Sequence, residues 1–247
     1  MPVAAAEFAA RYGISLAGLV VGKASLRGTA EGSAYSLELN AAMTGLAGAV
    51  SKGRGGASAR GAFSPENVAS NGFSLTATNG KDTRNIQITM SSGTVRNISI
   101  EPPFVDKSDG GDRIPLRDSH KVGVLDPASA LVMPARGSDP FDKANCERRL
   151  SVFDGSQRFD VVLSYAGTRQ VKADKGYAGP ALVCSARYVP VAGHRPERRV
   201  VKFMAENREM DVWLVPAAGG KVLLPYRISV KTMIGTSVIE AEAFNPG

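Results

Sequence analysis

The chain has 247 residues, of which 43% are hydrophobic and 21% charged, and this ordinary globular composition excludes a wholly disordered polymer. No stretch approaches the roughly 20 apolar residues that a membrane-spanning helix needs. The formal charge of +7 is scattered. Its densest groups, Glu147-Arg148-Arg149 and His194-Arg195-Pro196-Glu197-Arg198-Arg199, both contain an acid. No basic run is interleaved with aromatic residues, so nucleic acid is not expected as a partner and the charge reads as a solubility feature.

Glycine is abundant, with 27 residues, and proline adds 14. Helix formers are not gathered into long amphipathic runs, which favours many short strands joined by turns. The start, Met1-Pro2-Val3-Ala4-Ala5-Ala6, ends in the small-residue pattern Ala4-x-Ala6 of a signal-peptide terminus, without the charged and apolar parts of a leader. The expectation is an exported protein whose leader has been removed.

Period-two alternation then sets in. Tyr12, Ile14 and Leu16 alternate with polar or small residues, and Val20 to Leu26 follows after Ala17-Gly18. Tyr35, Leu37 and Leu39 alternate with Ser36, Glu38 and Asn40. The small-residue tract Ser51 to Gly61 is expected to form an exposed or twisted strand pair, its glycines marking a bulge or a close backbone approach. Phe73 to Thr78 runs into the turn signal Asn79-Gly80. Ile86, Ile88 and Met90 make the next strand. Ser92-Gly93 reverses it into Val95, Ile98 and Ile100, and Glu101-Pro102-Pro103 ends the run.

Residues 104–145 read as a loop with one short helix. Asp126 is placed to cap it, Pro127 suits its first position, and Pro134 stops it after Met133. Strands resume at Ser151-Val152-Phe153, the turn Asp154-Gly155, and Phe159 to Tyr165. The apolar segments Ala181 to Val189, Asp211 to Val215, Val222 to Val230 and Ser237 to Ala241 complete the chain. The reading is an all-β, mostly antiparallel single domain spanning 1–247. Its strand-rich halves, about 7–103 and 146–243, are joined by the 104–145 segment. About a dozen strands exceed what an open twisted sheet tolerates, so the sheet should curve strongly into an open barrel or spiral.

Chemistry-bearing residues are few. Asp118-Ser119-His120 holds the side-chain types of a hydrolase triad, but adjacency in sequence is not triad geometry, and no G-x-S-x-G elbow exists. His120 reads as a surface loop residue. Cys184 and His194 have the types of a nucleophile and base, yet His194 sits in a polar connector and reads as solvated. Asp106, Asp109 and Asp112 miss the calcium-loop spacing. Gly53 to Gly61 lacks the GK[ST] ending of a phosphate loop. Trp213, between Val212 and Leu214, reads as core. No catalytic, cofactor-binding or metal-ligating residue is assigned.

Cys146 and Cys184 are the only cysteines. They are too few for a structural zinc site and are not spaced as CxxC. A bridge between two β segments would contribute about 4 kcal/mol in the chain-entropy model. The alternative is two separate buried thiols.

One pattern runs along nearly the whole chain. It comprises Gly18…Val21-Gly22, Tyr35, Asp126-Pro127-Ala128-Ser129-Ala130-Leu131, Cys146…Val152-Phe153-Asp154-Gly155…Arg158-Phe159-Asp160, and Tyr177-Ala178-Gly179-Pro180-Ala181. It continues through Cys184…Arg187-Tyr188-Val189-Pro190-Val191-Ala192-Gly193-His194, then Val212-Trp213-Leu214, Leu224-Pro225-Tyr226-Arg227-Ile228 and Gly235. It resembles the bacterial envelope proteins of the "domain of unknown function 3108" family. The resemblance implies an exported, periplasmic, β-rich protein and fits a version with the Cys146–Cys184 bridge. It supplies no catalytic residues.

The functional expectation is a non-enzymatic periplasmic protein that supports envelope integrity or assembly. Its curved sheet would wrap an apolar groove around the 127–133 helix and hold a lipid or other apolar ligand. Two alternatives stand beside it: an adaptor binding another envelope protein at a sheet edge, and a hydrolase of envelope polymers.

Overall fold

The structure, a computed structural model, describes residues 5–44, 53–104 and 112–247. Among the described residues, fifteen strands form one sheet. The first seven, β1 (Ala6–Leu16), β2 (Leu19–Glu31), β3 (Ala34–Met43), β4 (Arg54–Phe63), β5 (Val68–Asn79), β6 (Asp82–Ser91) and β7 (Thr94–Glu101), are an antiparallel meander. The tight turns at Ala17-Gly18, Gly80-Lys81 and Ser92-Gly93 set their registers. The Ser51–Gly61 tract differs from the sequence reading: its described part is one strand, β4, paired on both sides. Ala4, Asp106 and Asp109 lie outside the described residues.

The segment from 112 to 147 departs most from expectation. No helix spans 127–133. A single 3-10 turn covers Ser129–Leu131, and Met133–Pro134 is a short strand, β8, paired with Leu223 and Val222. The cap at Asp126 is real, but strand pairing two residues beyond the turn leaves no room for helical propagation.

The second half contributes β9 (Arg148–Phe153), β10 (Arg158–Lys172), β11 (Lys175–Gly176), β12 (Ala178–Ala192), β13 (Met210–Ala217), β14 (Val222–Thr232) and β15 (Gly235–Asn245). The one α-helix among the described residues, α1 (Arg199–Glu206), joins β12 to β13 in the stretch read as a polar connector. In space the order is β7-β6-β5-β4-β3-β2-β1-β15-β14-β13-β12-β10-β9. The first and last strands thus pair with each other in the middle of the sheet, from Ala9↔Asn245 to Leu16↔Ser237.

So long a sheet must curl. Bulges between Arg11 and Tyr12, Ile14 and Ser15, and Trp213 and Leu214 add bend. The far ends of the spiral meet without pairing. Gly155, at φ 100° in the β9–β10 turn, presses so closely on β6 that a Cβ there would lie 3.2 Å from Ile86 Cγ2.

The larger core joins Phe8, Ala10 and Leu26 of the first half to Phe153, Leu224, Tyr226 and Phe244 of the second. A smaller one gathers Cys146, Leu163, Leu182, Cys184, Leu214 and Leu223. Sequence neighbours Ala181 and Leu182, Val215 and Leu214, and Leu224 and Leu223 fall into different clusters. Both faces are covered there, which is why these segments read as continuous apolar runs instead of alternating ones. Cys146 and Cys184 are bonded, with Cα atoms 5.4 Å apart. The bond clamps the 133–147 crossover onto β12.

That crossover is stiffened by polar contacts. Buried Asn145 accepts from the Arg136 N–H at 2.7 Å and from Arg148 Nη2 at 2.8 Å. Arg148 also donates to the carbonyls of Asn145 and Pro134. Burial lowers the Arg148 pKa to about 10.

Candidate functional site

Cross-strand rows on the inner face of β1–β5 build the candidate site. One row runs Tyr12↔Ala24↔Ala41↔Gly55, and the next Ala10↔Leu26↔Leu39↔Ala57↔Leu75↔Ile86. The first row is nearly stripped of side chains beyond Tyr12, so it leaves space above the sheet. Across the β1·β15 junction, Ile14, Ile239 and Ile228 continue the floor in register.

The result is an apolar hollow of about 300 Å³, roofed by Leu131 and flanked by Pro225 and Ile228. A second hollow of about 300 Å³ shares Leu39, Ala57, Leu75 and Leu131 and extends toward Phe73 and Phe104. Together they make one groove whose size suits a small apolar ligand; such sites span roughly 300–1,000 Å³.

Leu131 is held over the groove by a buried polar cluster. Asp126 Oδ1 accepts from the N–H groups of Ala128 and Ser129 at 3.0 and 2.8 Å, and its Oδ2 accepts from Ser129 Oγ at 2.5 Å. Tyr35 on β3 donates to Ser129 Oγ at 2.6 Å. The Asp126 N–H donates to Ser70 Oγ on β5 at 3.1 Å. Burial raises the Asp126 pKa against these hydrogen bonds, and burial pushes Tyr35 up to about 12. Tyr12, whose hydroxyl donates to the Pro225 carbonyl at 2.8 Å, closes the far wall. The sequence showed Asp126 as a cap. It held no local sign that Tyr35 and Ser70 would meet it. The Gly/Ala pattern of β4 was visible as a bulge or close approach, and its role as groove floor depends on partners in β3 and β5.

The residues considered for catalysis do not converge. Asp118 is solvent-exposed and pairs with Lys121 at 3.4 Å. His120 Nδ1 accepts from the Arg117 N–H at 3.2 Å in the same turn. Cys184 is consumed by the disulfide. Asp112 is exposed.

His194 departs from the solvated reading and is 7% exposed. Gly193, at φ 80°, turns the chain inward. Gly193 N–H donates to the Ile114 carbonyl at 2.8 Å, and Ile114 N–H donates to the His194 carbonyl at 2.9 Å, tying the two segments together. Burial lowers the His194 pKa. Trp213, expected in the core, packs against the larger core as a partly buried residue. Strand alternation buries Val212 and Leu214, and the indole is half-buried on the other side, with the Arg227 guanidinium 5.1 Å from its ring centre. Among the described residues, no cluster of three His, Cys, Asp or Glu side chains could hold a metal, and no helix is long and apolar enough to cross a membrane.

An open β-spiral, barrel-like but unclosed, with an apolar groove on its inner face, is the class of protein these features define. The chain belongs to a family described as protein of unknown function (DUF3108), whose model matches residues 7–242. Its fold is similar to a solved beta-barrel-like protein of domain of unknown function DUF1849 from Brucella abortus. The identity is 7%, the TM-score 0.52, and the match covers 100% of both chains. No curated protein matches the sequence.

Proposed function

We propose that this chain is a non-enzymatic periplasmic protein that supports the cell envelope by holding an acyl chain or similar apolar ligand in the inner groove. The observation that carries the reading is the run of small residues Ala24, Ala41, Gly55 and Ala57 beneath Leu131, which keeps an apolar hollow open where larger side chains would close it. Unfilled apolar space forfeits packing energy, so a groove kept open by three adjacent strands is consistent with an occupant. The disulfide supports an oxidising compartment. His120 is half-exposed in its own turn, Cys184 is bonded to Cys146 and His194 is buried in a different segment, and this separation speaks against the hydrolase alternative.

Titration with a fluorescent fatty acid tests the reading. The wild type is expected to bind the probe and to lose binding in Ala57→Phe, which fills the shared part of the groove. Equal probe fluorescence with and without the protein would overturn it. Native mass spectrometry of protein taken from a bacterial envelope should show a co-purified lipid mass.

The adaptor reading has one observation in its favour. β7 is an edge strand of the sheet, whereas the other edge, β9, is blunted by Leu125, which donates to the Ser151 carbonyl at 2.7 Å. Unpaired edges accept strands from partners. Cross-linking from β7 positions in cells would then trap one dominant protein.

A further inference from the structure

Five of the ten large apolar side chains that face solvent among the described residues lie together at one end of the spiral. Ile234 is 75% exposed and Leu19 71%, with Val20, Met43 and Met233 also exposed. These residues sit on the β14–β15 tip, the β1–β2 tip and the end of β3. The three are side by side: Ala17 N–H donates to the Thr236 carbonyl at 2.9 Å, and Thr44 N–H to the Val21 carbonyl at 3.0 Å. Isolated exposed aliphatics need no explanation, but a row of them on adjacent hairpin tips does.

The same end carries α1. Asn207, just past the helix, donates to the Lys231 carbonyl at 2.9 Å, and Lys231 N–H donates to the Glu209 carbonyl at 2.9 Å. The segment 197–208 holds four cations (Arg198, Arg199, Lys202 and Arg208) against two glutamates, Glu197 and Glu206, with Lys202 paired to Glu197 at 2.6 Å; Arg195 beside it is buried. None of the α1 residues is fully buried, and Val200 at its start is exposed. On the outer face behind the tips, Arg11, Lys23 and Arg54 line a shallow hollow with Glu242, which pairs with Lys23 at 4.0 Å. Glu209 pairs with Lys231 at 3.7 Å.

We propose that this end docks on an anionic lipid surface, the aliphatic tips entering the headgroup layer while the basic residues behind them meet lipid charge. The chemistry of the tips selects a bilayer over a protein. They carry Leu, Val, Met and Ile on separate hairpin tips with Arg and Lys beside them, which suits insertion among anionic headgroups better than one continuous fitted protein interface. Apolar insertion flanked by Lys and Arg is the recipe for interfacial binding. The groove supports the same orientation. Ile14, Ile228 and Ile239 of its floor lie in the register rows just inside the tips, so a docked molecule presents the groove to the bilayer. That last step rests on the carrier reading; the docking itself does not.

Co-sedimentation of the whole chain with vesicles tests it. Vesicles containing phosphatidylglycerol should retain the protein on the order of tenfold better than pure phosphatidylcholine at low salt, with the difference shrinking as salt screens the charges. The double variant Leu19→Glu, Ile234→Glu alters only exposed side chains and should lower retention on the order of tenfold while keeping the wild-type circular dichroism and the fatty-acid titration. Ala57→Phe should do the reverse, losing the fatty acid and keeping vesicle retention. Equal retention of wild type and double variant, or none for either, overturns docking. Intact retention with no fatty-acid binding by the wild type removes the groove reading and leaves docking standing.

Discussion

Tyr35 on β3 donates its hydroxyl proton to Ser129 Oγ across 2.6 Å, and through that serine reaches the buried Asp126 carboxylate. A strand of the first half thereby holds the turn that places Leu131 over the groove. Removing the tyrosine hydroxyl leaves Ser129 bonded to Asp126. Tyr35→Phe should therefore cost about 1 kcal/mol, whereas Asp126→Ala, which strands two buried N–H groups and a hydroxyl, should cost about 2–4 kcal/mol. Urea unfolding of the two variants checks the ordering; a larger loss for Tyr35→Phe contradicts it.

The Cys146–Cys184 bond closes a separation of 38 residues. The chain-entropy model assigns such a loop about 4 kcal/mol. Replacing both cysteines with alanine should lower the urea midpoint accordingly, and reductant should lower the wild type and leave the double variant unchanged. A reductant effect on the double variant would contradict the assignment.

Acidification should weaken the fold through His194. Its folded pKa is held below the ordinary value near 6.5 by burial, so between the two values the unfolded chain binds the extra proton. Stability is then full above about 6.5 and falls as the pH drops toward the depressed value, with a slope of at most about 1.4 kcal/mol per pH unit for one proton. Unfolding free energies from pH 7.5 to 5 should show this fall, and His194→Gln should flatten it. An unchanged slope in the variant would place the effect elsewhere.

Groove volume should follow Leu131. Leu131→Ala removes the roof of both hollows and should change fatty-acid affinity, while half-buried Leu131 limits the stability loss to below the roughly 2–5 kcal/mol of a core Leu→Ala substitution. Thermal unfolding with the fluorescence titration separates the two effects.

The strands were legible because alternation is local. Tyr35, Leu37 and Leu39 announce β3, and Ile86, Ile88 and Met90 announce β6, without reference to anything distant. The expected curved, unclosed, mostly antiparallel sheet follows from the number of such strands. The 127–133 helix misled because Asp126 and Pro127 begin a helix equally well whether or not it propagates, and pairing of Met133 with Leu223 ended it. The actual helix, α1, is eight residues long, too short for its period to stand out among arginines. The groove was the least legible feature. It joins Tyr12 to Pro225 and Ala57 to Leu131, contacts that belong to the folded sheet and to no window of sequence.

The pairing of β1 with β15 at the centre of the sheet has a consequence for assembly. Among the described strands, the ladder from Ala9↔Asn245 to Leu16↔Ser237 is the seam that joins the two strand-rich halves within the sheet. A chain delivered from its N-terminus must therefore wait for its last strand before that seam can zip, and until then β1 is an exposed pairing edge. Contacts so remote in sequence make for slow folding. A chain cut before residue 235 would keep that edge open and should aggregate.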